Sequence, residues 1–173
     1  MLRAKVLCGF ALVVGLVTPS ARADETYKSA DGLFSFVMPA EPKQSTESRD
    51  GIKMAFHIHE TPAGVFMVTI MDMPPEAAKE SDDEVQVRLA GGVERFAASV
   101  AGKVLENKKF TFAAKYPARE FKVSASPGGM EGVGRGRIYA AKGRLVQVFV
   151  LGEKSWVHAA DKDTFLGSLK IVE

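Results

Sequence analysis

The chain has 173 residues, of which 46% are hydrophobic and 25% charged, with 23 lysines and arginines against 21 acids and a single cysteine, Cys8. Arg3, Lys5 and Arg22 fall in the first 23 residues with no acid, so the other 150 carry 20 cations against 21 acids, a net charge of −1. That balance argues against nucleic acid or an anionic membrane as partner, and a chain whose only thiol is Cys8 has no cysteine beyond residue 23 for disulfides, thiolate metal sites or a cysteine nucleophile.

The N-terminus carries Arg3 and Lys5 and then an apolar run from Val6 to Val17. Twelve residues are too few for a bilayer span of about 20 and suit the roughly 7–15 of a secretory h-region. Thr18-Pro19-Ser20 breaks the run, and Ala21-Arg22-Ala23 offers small residues at the −3 and −1 positions of a cleavage site. Residues 1–23 are therefore expected to be a signal peptide and 24–173 a single domain that is periplasmic or secreted, with no integral membrane segment after cleavage.

Glu25 to Ser29 is expected as a short strand closed by a turn at Ala30-Asp31-Gly32, followed by a strand from Leu33 to Met38 with Phe34 and Phe36 on its core face. Residues 43–51 are polar and end in Asp50-Gly51, a hairpin pair. Ile52 to His59 alternates, with Met54, Phe56 and Ile58 on one side and Lys53, Ala55, His57 and His59 on the other, and reads as a half-buried strand. Val65 to Met71 is apolar almost throughout, as in a central strand covered on both faces.

Ser81-Asp82-Asp83-Glu84 is a capping box, so a helix should start there. From it Val85, Leu89, Gly92, Val93, Phe96 and Val100 form one apolar stripe, and Gly91-Gly92 suggests a close approach to a sheet or a kink. Gly102 is expected to end the helix. Strands follow over 103–112, 116–124, 134–141 and 144–152, the last two joined at Lys142-Gly143, and Asp161 is positioned to cap a final short helix carrying Phe165, Leu166 and Leu169. Strands, a long inserted helix, more strands and a terminal helix define an α+β fold, a twisted antiparallel β-sheet flanked by helices.

No catalytic constellation is evident. His57 and His59 point the same way from a strand and could share a divalent metal, with Glu60 and His158 as further ligands, although such a pair more often marks a solvent face. The run Gly128 to Arg137 is glycine-rich with two cations, but it precedes a strand rather than opening a helix, so it reads as a loop and not a phosphate cradle. Asp82, Asp83 and Glu84 are accounted for by the helix dipole. Trp156 is expected to anchor the terminal helix. Arg119, Arg135, Arg137 and Arg144 would make an anionic-ligand or protein-partner surface if the fold gathers them on one concavity.

The phrases Tyr27-Lys-Ser-Ala-Asp-Gly-Leu-Phe-Ser-Phe-Val-Met-Pro39, Tyr116-Pro-Ala-Arg-Glu-Phe121, Arg137-Ile-Tyr-Ala-Ala-Lys-Gly-Arg-Leu-Val-Gln147 and Phe165-Leu-Gly-Ser-Leu-Lys170 resemble those of exported bacterial proteins of unknown function with the PsbP-like fold. Ala118 stands where such proteins more often carry glycine. The resemblance implies an α-β-α sandwich and, by analogy with its plant and cyanobacterial members, a non-catalytic accessory to a larger assembly, with no binding residue that can be matched here. The expected function is a non-catalytic exported binding or assembly module without a cofactor. The alternative is a divalent-metal-binding or metal-dependent hydrolytic protein using His57 and His59.

Overall fold

A computed structural model describes residues 25–126 and 131–172. The expected signal peptide, and Gly128 and Gly129 of the glycine-rich run, lie outside the described residues. Among the described residues ten strands form two sheets. Seven of them, in the order β3-β4-β5-β9-β8-β7-β6, make the main antiparallel sheet: β3 Lys43–Arg49, β4 Ile52–Thr61, β5 Gly64–Asp72, β6 Val104–Phe112, β7 Tyr116–Ala125, β8 Gly132–Ala141 and β9 Arg144–Gly152. A smaller sheet has β2 (Phe34–Met38) between β1 (Glu25–Lys28) and β10 (Lys170–Ile171).

Turn chemistry sets the hairpins. Asp50-Gly51 and Lys142-Gly143 both adopt left-handed backbone, with φ of 52° and 78° and of 53° and 70°, as two-residue turns between right-twisted strands require. β3 is a strand in which every residue is exposed. Its Lys-Gln-Ser-Thr-Glu-Ser-Arg sequence offers no apolar alternation, which is why only its turn was legible.

Helix α1 (Asp82–Ser99) starts on the expected box: the Glu84 N–H donates to Ser81 Oγ at 3.4 Å while the Ser81 N–H donates to Glu84 Oε2 at 2.8 Å. It buries Val85, Leu89, Val93 and Ala97 over β6, β7 and β8. Gly92 is the close-approach point, since a Cβ there would stand 3.0 Å from Ile138 Cδ1. At the other end the left-handed residue is Ala101 (φ 51°) rather than Gly102. Gly102 is instead pressed on β7, where a Cβ would fall 1.8 Å from the Ser124 carbonyl oxygen.

On the opposite face lie the small sheet and two short helices, α2 (Lys154–Val157) and α3 (Ala160–Leu166). Phe34, Phe36 and Met38 are fully buried there against Phe66, Val68, Ile70, Val146 and Val148. Asp161 does not cap α3; Ala159 holds that position with no side-chain cap, and the Asp161 carboxylate accepts from Lys162 Nζ at 2.5 Å. That ammonium is buried beside the rings of Trp156 and Phe66, 4.4 and 5.3 Å from their centroids. The chain is thus an α+β, α-β-α arrangement with one core on each face of its main sheet.

Candidate functional site

Register assigns every strand residue to a face. Along one row Phe56, Thr69, Gln147, Ile138 and Arg119 are successive cross-strand partners from β4 to β7, so they share the α1 side. The next row on β4 sets His57 against Val68, on the side of the small sheet. The two halves of the α1 side differ. Over β6, β7 and β8 the helix seals Phe121, Val123, Ile138 and Phe149. Over β4 and β5 Met54, Phe56, Ile58, Met67 and Met71 are only half-buried around buried Thr69; Met67 packs against the core that α1 seals, while Met54, Phe56, Ile58 and Met71 belong to neither core and present apolar surface on this half of the sheet. Methionine suits such a surface because its unbranched thioether adapts to varied partners.

The His57 row is not the solvent face that its alternation on β4 predicts. The small sheet lies over it, leaving His57 5% exposed with its ring edge-on to Phe36 at 4.9 Å. Nδ1 of His57 is buried without a hydrogen-bond partner, and burial lowers the imidazole pKa. His59 is half-buried, 6.0 Å from the Phe66 ring. Glu60 accepts from Lys43 on the surface, and His158 lies beyond α2, lining a small cleft with Lys122 and Arg135. Burial and then the neighbouring cations Lys122, Arg135 and Lys154 lower the His158 pKa. Among the described residues no three His, Cys, Asp or Glu side chains are grouped to hold a metal ion.

The four arginines do not surround one concavity. Arg119, on the α1 side, is 8% exposed and spans three elements: Nε donates to Asn107 Oδ1 (2.5 Å) and Nη1 to Gln86 Oε1 (2.9 Å), tying α1 to β6 and β7. Arg135 and Arg137 are on the opposite side. Arg135 fastens both short helices, donating to the Val157 carbonyl (3.2 Å) and to Asp163 (2.6 Å), and Arg137 donates to Glu120 across the strand pair at 3.2 Å. Arg144 shares that side but stands six positions along the ladder from Arg135 and four from Arg137, roughly 20 and 13 Å at strand rise.

There Arg144 Nε lies 3.1 Å from Asp31 and 3.2 Å from Asp72, tying the β1–β2 turn to the main sheet at the mouth of a cleft of about 270 Å³ that Lys53 also lines. Burial raises the Asp31 pKa, but the Ser29 hydroxyl, the Leu33 N–H and Arg144 outweigh it and hold the carboxyl below its ordinary value. Each of these arginines works as a fastener between elements.

The described part of the glycine-rich run has a packing role. Gly134 and Gly136 face α1, where a Cβ on Gly136 would meet Phe121 Cζ at 2.5 Å and Phe149 Cβ at 2.6 Å. Phe96 of α1 closes this aromatic group, 5.5 Å from Phe121 and 4.5 Å from Phe149. Phe149 is buried within it, and Trp156, expected to anchor the terminal helix, is instead half-buried on α2 with its ring 5.0 Å from Phe66. Gly64 and Gly152 make room for that indole.

The apolar strip on β4 and β5 is what sequence reasoning missed. Its signal was present in Met54, Phe56, Met67 and Met71 at alternate positions of two adjacent strands, but periodicity alone does not say which face a helix leaves open.

No protein-family profile matches the chain, and no curated protein matches it. Among solved structures it is similar to cyanobacterial PsbP from Synechocystis, with a TM-score of 0.55 at 12% identity over 92% of this chain and 99% of that one. A weaker likeness, with a TM-score of 0.42 at 12% identity over 76% and 84%, links it to a protein of unknown function from Pseudomonas aeruginosa. Among the described residues no helix is long and apolar enough to cross a membrane. With 92% of this chain and 99% of that one aligned at a TM-score of 0.55, the chain has the PsbP-like fold.

Proposed function

We propose that this protein is a non-catalytic binding or assembly module working in the periplasm or outside the cell, and that it receives its partner on the half of the main sheet that α1 leaves uncovered. The observation that carries this reading is the group of half-buried Met54, Phe56, Ile58 and Met71, with Met67 at its inner border, around buried Thr69. Contiguous apolar surface of this kind is costly in water and marks interaction sites in folded proteins. Its chemistry favours a partner with an apolar face, since the strip is uncharged and bordered by the polar side chains of β3. Export rests on the N-terminal leader, and cleavage after Ala23 would give a mature chain beginning at Asp24.

A photo-reactive phenylalanine analogue at Phe56 tests the reading. In the native exported fraction it should give a discrete cross-linked product that the same analogue at Lys142, on the β8–β9 turn, does not give. Equal labelling from both positions would overturn it. The rival reading, a divalent metal on His57 and His59, draws support from the unpartnered Nδ1 of His57 and predicts stoichiometric metal that a His57→Ala/His59→Ala variant loses. Metal analysis of the purified protein separates the two.

A further inference from the structure

We propose that β3 is a self-association edge, through which two copies of this chain pair antiparallel about a two-fold axis at Ser45 and join their main sheets. β3 is the outer strand of the seven, paired to β4 in unbroken register from Lys43 opposite Ile58 to Arg49 opposite Ile52. All seven of its residues are exposed and none is proline. Its outward N–H and C=O groups therefore form a straight, accessible template for another strand.

The other edge is built differently. β6 carries a register irregularity between Val104 and Glu106, a device that blunts an edge, and its adjacent charges Lys108 and Lys109 are of one sign, whereas the charges of β3, Lys43, Glu47 and Arg49, sit at alternate positions of mixed sign on an unbroken register. One edge of the sheet is guarded and the other is regular.

The occupant follows from charge. A two-fold axis perpendicular to the sheet keeps like faces together, so each possible register is centred on one residue meeting itself. Centring on Thr46 sets Lys43 against Arg49 in both halves. Centring on Glu47 sets that carboxylate against its own copy, and centring on Gln44 brings no two charges of the strand together. Centring on Ser45 sets Lys43 against Glu47 twice, with Gln44 opposite Thr46 and the two small Ser45 side chains meeting at the axis.

Centring on Ser48 also brings opposite charges together, Glu47 against Arg49 twice, but it pairs only three residues of the strand where the Ser45 register pairs five. Lys43 already bonds Glu60 of its own chain at 3.2 Å, so in the pair it lies between two carboxylates. Opposite charges directly across strands stabilise a pairing and like charges oppose it.

Sedimentation of the purified protein over rising concentration tests the proposal. The wild type should show a reversible monomer–dimer equilibrium that weakens as salt screens the paired charges. Lys43→Glu and Glu47→Lys should each weaken self-association by at least about tenfold by placing like charges opposite one another. An equimolar mixture of the two variants should restore the dimer, because each strand then faces its complement. Both residues are exposed, and circular dichroism checks that each variant is folded.

A second measurement reads the axis directly. In a Cys8→Ser background, Ser45→Cys should form an intermolecular disulfide under mild oxidation, and Glu47→Cys should not. A wild type that stays monomeric to roughly 1 mM, the millimolar end of specific affinity, would overturn the proposal. So would a dimer indifferent to both charge reversals, or a mixture that fails to recover it.

Discussion

Replacing Gly136 by alanine should destabilise the protein more than any exposed glycine substitution, because the added methyl has nowhere to go. Its Cβ would lie 2.5 Å from Phe121 Cζ and 2.6 Å from Phe149 Cβ, whereas carbon atoms in contact prefer about 3.5–4.0 Å. The Phe121 ring can tilt, but Phe149 Cβ is fixed to the backbone of β9, the strand paired to Gly136, and Phe96 blocks the ring from above. Relief requires strand and helix to shift together, which places the cost at the upper end of overpacking, about 3 kcal/mol. For a chain of this size each kcal/mol moves Tm by roughly 2–4 °C, so a loss of about 6–12 °C is expected in a thermal melt. Phe121→Leu in the same chain should return part of it, giving a coupling energy in a double-mutant cycle that two independent sites would not show. Gly136→Ala with an unchanged Tm, or strictly additive effects, would refute the packing account of the glycine-rich strand.

Arg119→Leu should cost about 1–3 kcal/mol by stranding Asn107 Oδ1 and Gln86 Oε1, and hydrogen exchange should rise in the first turns of α1; Arg119→Lys should restore little, since it lacks the planar fork. Ser81→Ala should cost about 1 kcal/mol in denaturant melts through loss of the N-cap. His57 gives a pH signature. Its folded pKa lies below the ordinary value of 6.5, so the unfolded chain takes up a proton first, and stability should fall as pH drops below about 6.5 and level off below the folded pKa. Chemical denaturation at pH 7.5 and pH 5 should show that loss in the wild type and a smaller one in His57→Leu; equal losses would remove His57 as its origin.

What was legible in the sequence was local. The Ser81-to-Glu84 box, the two Xaa-Gly hairpins and the Phe34–Phe36 core face depend on neighbours within four residues, and the structure reproduces them. The errors came from distant contacts. His57 was assigned to solvent because alternation on β4 does not reveal that β2, some twenty residues earlier, folds over that face with Phe36. Gly102 was read as a conformational stop, yet its lack of a side chain serves contact with Ser124 on another strand. Four arginines spread over three strands could be gathered or scattered by topology alone, and the fold gives each its own partners. The candidate surface was hidden for the same reason: Phe56 and Met71 look like core residues until the reach of α1 is known.

The most direct test of the account is the affinity of the component captured at Phe56, titrated against wild-type protein and a Phe56→Gln/Met71→Gln variant of matched helicity. A docking surface on β4 and β5 predicts that the variant binds at least about a hundredfold more weakly, as when central apolar anchors of an interface are removed. Equal affinity for both proteins would contradict the claim that this half of the sheet receives the partner.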